Sequence, residues 1–466
     1  MSTTVAVSHR RQRVVGALLG WIVGDALGAP LEFGPAGQYS ARFPDPVLTG
    51  AAEMTGGGIW RPGEWTDDTQ MGLMVAQSLR DQGQLALGDV FDRFRVWADA
   101  GPKDIGSSTR SVLTSGLPWD KAAAAHYRRT DHSAGNGSLM RAIPSAIWLS
   151  RTSLAESMQA ARDLSDLTHG DPAAGEGVAI YHGMVAAALT GDNPLDHLPG
   201  LLARIDPDTR GRWGQCLDPA RTPTPGARNG DVWNTLGSAV WAVRRASARP
   251  AGQAFPAAMR DIIDLGYDTD TLAAVTGGLL GAILGIQAIP SRWTNAVNGD
   301  LPGHHAPHGY AELQDLALHL DDQQPPPPTP APPAIPAQEV LPGLWLTNLA
   351  GVPTGPPEAH VISLCRPHGP IPQPDRRLIY LLDDPTNLNL DTVIEDGLDT
   401  VDTHLSHDEP VLVHCHAGQS RTGLILRAYL MRHQQLDPAV ATQRARQLWP
   451  HTTDREGAFD AALQRR

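Results

Sequence analysis

The feature that most constrains the fold of this chain is a proline-rich segment at residues 321–338. It contains four consecutive prolines at 325–328, followed by further Pro, Ala and Gln. Proline lacks a backbone N–H and has a fixed φ angle, so such a segment forms a semi-rigid spacer and cannot build a core. The 466-residue chain therefore divides into two folding units, which we predict at residues 1–320 and 339–466.

The spacing of apolar residues differs on the two sides of this spacer. Before it, the spacing is helical and almost nothing alternates with the period of two that a strand requires, which predicts an all-α domain. After it, short apolar runs at residues 344–346, 360–364, 378–382 and 411–413 alternate with helical stretches. That alternation predicts a compact α/β domain. Within the first domain we predict a buried helix over residues 13–31 and an irregular, proline-rich connection over residues 205–230.

Composition narrows the classes of protein that fit. The formal net charge of -13 argues against a broad nucleic-acid-binding or anionic-membrane surface. The three cysteines, Cys216, Cys365 and Cys415, give neither a disulfide framework nor paired zinc spacing. No uninterrupted run reaches the roughly 20 apolar residues that a transmembrane helix needs. We therefore expect a soluble, cytoplasmic protein that does not bind membranes.

Two acidic stretches far apart in the sequence share one pattern. Residues 66–69 (Thr-Asp-Asp-Thr) and 268–271 (Asp-Thr-Asp-Thr) each precede a long apolar segment. Either stretch alone is typical of a helix N-terminus, where Asp or Thr caps the first turn. Together they offer the hard oxygen ligands that suit Mg, Mn or Ca. We predict that they form the two halves of one metal site.

The sequence around Cys415 indicates a different chemistry. A predicted buried strand ends there, a helix follows, and Arg421 lies six residues further along the chain. The backbone N–H groups of a loop of this length can point inward, as they do in phosphate-binding nests. Those groups, the helix N-terminus and Arg421 all favour the thiolate form of Cys415. Arg421 is also suited to a bidentate grip on phosphate.

This stretch resembles the Cys-x5-Arg signature of the protein-tyrosine and dual-specificity phosphatase superfamily, and the resemblance covers roughly residues 339–450. It implies that Cys415 is the nucleophile that forms a phosphocysteine. It further implies that Arg421 holds the phosphoryl oxygens and that Thr422 assists departure of the thiolate. No cofactor is implied for this domain.

The phosphatase resemblance also requires an aspartic acid before the cysteine, which protonates the leaving oxygen. Asp383 and Asp384 are the candidates. We favour Asp384, because Asn389 and Leu390 then fall where the family's Asn-Leu pair follows the acid. Asp383 is the alternative.

The first domain resembles the ADP-ribosylglycohydrolase family, the all-α group that includes the dinitrogenase-reductase-activating glycohydrolase of bacteria. The matching stretches include residues 24–28, 66–69, 104–106, 136–141, 167–169 and 268–271. The resemblance implies two divalent cations, Mg or Mn, held by six residues: Thr66, Asp67, Asp68, Asp268, Asp270 and Thr271. It gives Asp67 and Asp68 a catalytic role as well.

The same resemblance implies a set of residues that bind ADP-ribose, namely Asn136, Gly137, Ser138 and His169. Glu32 matches a position that joins the metal site in only some members, and we place it with the substrate-binding residues. The chemistry implied is attack of water at the anomeric carbon of ribose, through a transition state that resembles an oxocarbenium ion.

The leading hypothesis is a two-enzyme fusion. A metal-dependent hydrolase would cleave the N- or O-glycosidic bond between ADP-ribose and an acceptor, and a cysteine-dependent phosphatase would act on a phosphorylated substrate. The acceptor would be a protein, a nucleic-acid end or a small molecule. Two alternatives stay open: the first domain senses ADP-ribose without turnover, or the second is a non-catalytic phosphate-binding module.

Overall fold

The computed structural model describes residues 3–130, 134–307, 309–322, 330, 332–366, 371–373, 375–454 and 457–466. The helices of the first domain are α1 Thr3–Gly28, α2 Gln38–Arg42, α3 Asp67–Gln82, α4 Leu87–Asp99, α5 Ser107–Leu113, α6 Ala122–Thr130, α7 Ile143–Leu149, α8 Leu154–Ser165, α9 Pro172–Thr190, α10 Leu198–Leu202, α11 Pro207–Cys216, α12 Val232–Ala246, α13 Ala251–Ile263, α14 Thr269–Leu284, α15 Ser291–Thr294 and α16 Gly309–Leu320. The elements of the second domain are β1 Gln338–Leu341, β2 Leu344–Asn348, β3 His360–Ser363, β4 Arg376–Leu378, α17 Leu390–Ser406, β5 Val411–Cys415, α18 Ser420–Gln434, α19 Pro438–Leu448 and α20 Asp460–Gln464. An all-α domain followed by an α/β domain is the fold class that the sequence predicts.

Helices α1 and α14 pack backbone against backbone at the centre of the first domain. A Cβ atom added to Gly277 would lie 2.1 Å from the carbonyl oxygen of Gly20, and one added to Gly20 would lie 2.3 Å from the carbonyl oxygen of Gly277. Glycine is therefore required on both helices. Gly16 meets Gly281 whereas Gly28 meets Thr269, so the two helices run antiparallel. The end of the pair at Gly28 and Thr269 carries the predicted metal-site segments.

Helix α1 is longer than predicted. It begins at Thr3 rather than at residue 13, and its polar first half has partners in the fold. Arg10 forms an ion pair with Asp321, with the Nε atom 3.0 Å from Oδ2, and donates a hydrogen bond to Ser150. These contacts hold the basic N-terminal turns of α1 against the end of α16 and so extend the helix.

This long helix bears on the question of membrane insertion. The stretch Thr4–Leu31 is long and apolar enough to cross a membrane, by length and composition alone. The expectation that no such span exists is therefore wrong on those two criteria. Its most apolar window is 94% buried inside the protein, with α14 covering one side. That burial is what the central helix of a folded domain shows.

The sheet of the second domain has the order β1-β2-β5-β3-β4. Strand β1 pairs antiparallel with β2, and the other pairs are parallel. Strand β5 is central and all five of its residues are buried. The carboxyl ends of parallel strands gather at one edge of a sheet, which is where ligand sites form. Cys415, the last residue of β5, lies at this edge.

The two domains are in direct contact. Asn295 of the first domain exchanges two hydrogen bonds of 2.9 Å with the backbone N–H and C=O of Leu378. The side chain of Leu378 joins the hydrophobic cluster of the first domain, and Arg366 forms an ion pair with Asp315. The proline-rich segment, whose residues 323–329 and 331 lie outside the described residues, thus joins two domains that pack against each other.

Two local predictions were wrong for identifiable reasons. Helix α11, Pro207–Cys216, lies within the segment predicted to be irregular. Pro207 occupies the first helical position, where its missing N–H is not needed, and Asp206 caps the helix through the backbone N–H of Asp208 at 2.9 Å. In the second domain, β4 ends at Leu378. The N–H of Ile379 still donates to the Ser363 carbonyl of β3 at 2.9 Å, and residues 380–382 leave the sheet.

Candidate active sites

An acidic cavity of about 270 Å³ opens at one end of the α1–α14 pair. The first turn of α3 contributes Asp67 and Asp68, and the start of α14 contributes Asp268 and Asp270. The other acidic residues of its lining are Glu32, after the 3-10 turn that follows α1, and Asp104. The structure thus brings together the two acidic stretches that the sequence separates.

The carboxylates of this cavity are crowded. Oxygen atoms of Glu32, Asp268 and Asp270 lie within 4.8 Å of one another. One oxygen of Asp68, Oδ2, is buried without a hydrogen-bond partner among the described residues, while the other accepts a 3.4 Å hydrogen bond from the Thr271 hydroxyl. A buried carboxylate oxygen that lacks a protein partner fits a cation-binding role.

The raised pKa values of the cavity carboxyl groups also fit a cation-binding role. Burial, reinforced by Asp104, Asp268 and other carboxylates, raises the pKa of Glu32 to about 9. Burial and the same kind of repulsion raise the pKa of Asp67, Asp68 and Asp270 well above the ordinary value. Bound positive charge would relieve this repulsion. The donor set is oxygen only, which matches Mg or Mn and not a structural zinc.

Asp25 is a site residue that the sequence analysis missed. It is fully buried on α1, and its carboxylate accepts hydrogen bonds from the backbone N–H groups of Thr66, at 3.0 and 3.1 Å, and Thr69, at 3.1 Å. Burial raises its pKa to about 6, against the effect of these hydrogen bonds. Asp25 therefore fixes the start of α3, and with it Asp67 and Asp68. Its membership of the 24–28 stretch was the available signal.

Asn136, predicted to bind substrate, lines the cavity and also orients a carboxylate. Its side-chain amide donates to Asp268 Oδ2 at 2.7 Å and to the Thr235 hydroxyl at 2.9 Å. The backbone N–H of Asp268 in turn donates to Asn229 at 3.1 Å. Asp268 is thus held from two sides by neutral amides.

His169 and Gly137 meet at the wall of the same cavity. A Cβ atom on Gly137 would lie 2.8 Å from Cε1 of His169, so only glycine fits there. Burial, with a contribution from Arg141, lowers the pKa of His169 to about 3, so the ring is neutral. Ser138, in contrast, is buried behind the cavity wall, where its hydroxyl accepts a 2.8 Å hydrogen bond from Ser165. Gly137 and His169 line the cavity, and Ser138 does not.

An aromatic pair at the mouth of the cavity was also missed. Phe33 and Tyr267 stand edge to face with ring centroids 5.8 Å apart, and both line the cavity. Their φ angles are +59° and +66°, a region that bulky residues rarely occupy. Backbone hydrogen bonds from Phe33 to Tyr267 and from Tyr267 to Gly34 hold this conformation. Phe33 remains 71% exposed and is available to a ligand.

In the second domain, Cys415 and Arg421 flank the loop between β5 and α18. Arg421 donates through one terminal nitrogen to the carbonyl oxygens of Leu364 at 2.9 Å and Leu381 at 3.2 Å. The loop turns at Gly418, with φ of +67°, and Trp449 donates a 2.7 Å hydrogen bond to the Gly418 carbonyl. We call residues 415–421 the phosphate loop.

Thr422 and Cys365 lie next to the phosphate loop, and their surroundings limit the roles that each can have. Thr422 is fully buried, and its hydroxyl has no hydrogen-bond partner among the described residues. Burial raises the pKa of Cys365 to about 12, with a smaller contribution from Cys415 and against the effect of Arg421. Cys365 therefore keeps its proton and is not a candidate nucleophile.

The two candidate acids differ in their contacts. Asp383 accepts a hydrogen bond from the hydroxyl of Ser420, a member of the phosphate loop. Asp384 instead accepts from the backbone N–H of Thr386 at 2.7 Å and from the Thr386 hydroxyl. The structure thus brings Asp383, the alternative in the sequence analysis, into contact with the phosphate loop, while the side-chain hydrogen bonds of Asp384 go to Thr386. The spacing to Asn389 and Leu390 favoured Asp384, whereas the contacts in the structure favour Asp383.

Together, the fold and the two sites define an all-α hydrolase domain with an acidic cavity, joined to a cysteine phosphatase domain. The chain belongs to the ADP-ribosylglycohydrolase family, whose sequence profile matches residues 6–328. The profile of the dual specificity phosphatase catalytic domain matches residues 372–455. The chain is therefore a hydrolase with a phosphatase domain.

Individual relatives agree with this assignment. The chain is 30% identical over 334 residues to ADP-ribosylarginine hydrolase Tri1 of Pseudomonas putida, a match that covers 68% of this chain and 82% of that one. It is 29% identical to ADP-ribosyl-[dinitrogen reductase] glycohydrolase of Rhodospirillum rubrum, over 61% and 90% of the two chains. A solved structure titled ADP-ribosylglycohydrolase-related protein complex aligns with a TM-score of 0.51 and 32% identity, over 68% of this chain and 99% of that one.

Proposed function

We propose that the first domain removes ADP-ribose from an arginine side chain of an acceptor protein. The observation that carries this proposal is the convergence of Glu32, Asp68, Asp268 and Asp270 in one cavity. The arginine linkage is supported by the name of the Pseudomonas putida relative, an ADP-ribosylarginine hydrolase. Other acceptors, including serine and nucleic-acid ends, serve as comparison substrates.

The residues that would hold two divalent cations are Thr66, Asp67, Asp68, Asp268, Asp270 and Thr271, with Glu32 beside them. Such cations, when bound, supply positive charge that offsets the carboxylates and helps to orient substrate oxygens. Asp25 and Asn136 keep this set in place through their hydrogen bonds to Thr66 and Asp268. His169, being neutral, can hydrogen-bond the substrate without repelling a cation.

In the proposed reaction, the oxygen of a water molecule bonds to the anomeric carbon of ribose and the carbon–nitrogen bond to arginine breaks. A cavity carboxylate, for which we propose Asp67, accepts the proton that the water loses. The carboxylate-rich wall stabilises positive charge that develops on the ribose ring in the transition state. The guanidine leaves and is protonated from solvent.

The test is release of ADP-ribose from an arginine-modified protein in the presence of Mg²⁺ or Mn²⁺. Asp68→Asn should lower the rate at least about a hundredfold, on the scale seen when one key electrostatic group is removed, and should weaken Mn²⁺ binding measured by calorimetry. The matched control is Asp81→Asn, an exposed carboxylate on the same helix, which should change neither. If the unaltered protein binds ADP-ribose but releases none from any linkage, the domain is a sensor and the proposal fails.

For the second domain we propose a phosphatase reaction through a phosphocysteine. The sulfur of Cys415 bonds to phosphorus while the ester phosphorus–oxygen bond breaks, and Asp383 gives its carboxyl proton to the leaving oxygen. Arg421 binds the phosphoryl oxygens. Water then attacks phosphorus, its proton passes to Asp383, and the sulfur–phosphorus bond breaks as the Thr422 hydroxyl donates to the departing thiolate.

Hydrolysis of p-nitrophenyl phosphate tests this reaction. Cys415→Ser should abolish phosphate release, and Cys216→Ser, a cysteine of the first domain, should have no effect. Retained hydrolysis in Cys415→Ser would show that the cysteine mechanism is wrong. If the unaltered protein binds tungstate but hydrolyses no aryl phosphate, the domain is a phosphate-binding module.

A further inference from the structure

The segment that carries the candidate acids rests on the first domain. We call residues 382–389 the acid loop. The side-chain amide of Gln287, in the 3-10 turn after α14, donates to Asn387 Oδ1 at 2.6 Å and to the carbonyl of Tyr380 at 3.2 Å. Its carbonyl oxygen accepts the backbone N–H of Asn389 at 2.9 Å. Gln287 is buried, so these hydrogen bonds are shielded from water.

A second buried glutamine holds the other side of the loop. Gln12, on α1, donates to the carbonyl of Thr386 at 2.8 Å and accepts the backbone N–H of Leu388 at 2.9 Å. Its side chain is completely buried. Both glutamines use the donor and the acceptor end of the amide, which a carboxylate or a hydrocarbon side chain cannot reproduce.

The contacts continue from these anchors to Asp383. Asn387, which Gln287 binds, donates to the carbonyls of Leu382 at 3.1 Å and Asp384 at 2.8 Å, and accepts the N–H of Leu382 at 3.0 Å. These three bonds brace the backbone on both sides of Asp383. Asp383 in turn meets Ser420 of the phosphate loop. The first domain thus reaches the phosphatase site through Gln287, Asn387 and the backbone of the acid loop.

The support behind these anchors is rigid. Asn389 donates a 2.7 Å hydrogen bond to the carbonyl of Leu284, the last residue of α14. Helices α1 and α14, which carry Gln12 and Leu284, are locked by their glycine contacts. An acid loop held on such a surface needs little reorganisation to place a carboxyl group at the leaving oxygen, whereas free loops of this kind must be ordered during the reaction.

We propose that Gln12 and Gln287 of the first domain are positioning residues for the phosphatase reaction, which fix the acid loop so that Asp383 faces the phosphate loop. The inference rests on the proposed phosphatase function of the second domain. It gives the first domain the task of positioning the general acid for a reaction that takes place in the other domain.

The test compares two substrates that depend differently on a general acid. The nitrophenolate of p-nitrophenyl phosphate leaves readily without a proton, whereas the phenolate of phenyl phosphate needs one. In the full-length protein, Gln287→Ala and Gln12→Ala should lower kcat for phenyl phosphate roughly 10- to 100-fold, part of the effect of a general acid. They should change kcat for p-nitrophenyl phosphate less than about threefold and leave KM unaltered.

The matched control is Asn295→Ala. Asn295 also makes two hydrogen bonds across the domain interface, but to Leu378 in β4 and not to the acid loop. This variant should lower both activities equally or not at all. If Gln287→Ala lowers both activities by the same factor, or if Asn295→Ala shows the same selective loss, the glutamines have only a structural role and the proposal is wrong.

A measurement that does not depend on turnover separates this proposal from the phosphatase assignment. Hydrogen exchange of the backbone N–H groups of the acid loop should be faster in Gln287→Ala than in the unaltered protein, and unchanged in Asn295→Ala. Unchanged exchange in Gln287→Ala would overturn the anchoring. An inactive unaltered protein with this exchange pattern would instead overturn the phosphatase function while the anchoring stands.

Discussion

At the scale of single residues, the contacts of two adjacent carboxyl groups separate their roles. Because Asp383 meets the phosphate loop and Asp384 binds Thr386, we predict that Asp383→Asn lowers kcat for phenyl phosphate at least about a hundredfold, the usual effect of a general acid. Asp384→Asn should change it less than about threefold. Steady-state kinetics and the basic limb of the pH profile check this, and a larger loss in Asp384→Asn would reverse the assignment.

The exposed ring of Phe33 leads to a second prediction at this scale. An aromatic ring that stacks on a nucleobase contributes about 1–3 kcal/mol, so Phe33→Ala should raise KM for an ADP-ribosylated substrate roughly 5- to 150-fold. The value of kcat should change little, because the Phe33 ring carries no group that could transfer a proton or bind a cation. Ile59→Ala removes another exposed apolar side chain that is not part of the cavity lining. An equal rise in KM there would argue against stacking.

The sequence predicted residues whose chemistry is local and missed those whose role depends on packing. Asp67, Asp68, Asp268 and Asp270 stand out because carboxylates cluster before apolar helices. Asp25 stands alone in an apolar helix, and only the packing of α1 against α3 turns it into the support of Thr66. The contacts that place Asp383 at the phosphate loop likewise join residues 37 positions apart in the chain.

At the scale of secondary-structure elements, the α1–α14 contact decides whether the acidic cavity forms. Gly277→Ala would place a methyl group 2.1 Å from the Gly20 carbonyl oxygen. The helices must then separate, and we expect a loss of about 3 kcal/mol in the free energy of unfolding. Gly214→Ala on α11, where a Cβ would meet nothing within 4 Å, should be neutral or stabilise by about 0.5–1 kcal/mol. Denaturant unfolding measures both, and equal effects would contradict the packing argument.

The contact between α7, α8 and α9 should make stability depend on pH. His182 on α9 lies 3.1 Å from the Ser145 hydroxyl and 3.3 Å from that of Ser157, and burial lowers its pKa to about 3. The unfolded chain therefore binds a proton below the usual histidine pKa while the folded chain does not. The contribution of neutral His182 to the free energy of unfolding is fully present above pH 6.5. As pH decreases from 6.5 toward 3, this contribution falls by up to about 1.4 kcal/mol per pH unit.

The variant His182→Asn isolates this contribution. It should lower stability at pH 7 through lost packing, yet flatten the decline in the free energy of unfolding between pH 6.5 and pH 5. His407→Asn, an exposed histidine on the second domain, is the control and should leave the slope unchanged. The same slope in His182→Asn and in the unaltered protein would show that another group causes the acid sensitivity.

Element type was predictable where the apolar period is long, as in α3, α9 and α14. The element type was not predictable where a single residue or a distant partner decides whether a segment forms a helix or a strand. Pro207 begins α11 because Asp206 caps it, although proline in the sequence suggested a break. Residues 380–382 continue an apolar, strand-like run, but the carbonyl groups of Tyr380 and Leu381 bind Gln287 and Arg421 instead of a neighbouring strand. Those partners come from distant parts of the chain.

At the scale of the whole molecule, we expect the interface, and not the spacer, to hold the domains together. Burial of Leu378, its two hydrogen bonds with Asn295, and the bond from Arg377 to the carbonyl of Leu48 at 3.1 Å all cross it. We predict that a protease site inserted between residues 322 and 332 can be cut in the folded protein without separating the two pieces. Both should elute as one species in size-exclusion chromatography.

The same cut tests what the interface contributes to catalysis. Once the spacer is severed, only the interface keeps Gln12 and Gln287 against the acid loop, because the effective concentration that the covalent link provides is lost. Adding Asn295→Ala and Arg377→Ala to the cut protein should release the second domain. The released domain should turn over phenyl phosphate more slowly, whereas its turnover of p-nitrophenyl phosphate should persist. If the pieces separate without these substitutions, the interface is too weak to act as the scaffold of the acid loop. If they separate with them and both substrates are still turned over fully, the second domain holds its acid loop unaided.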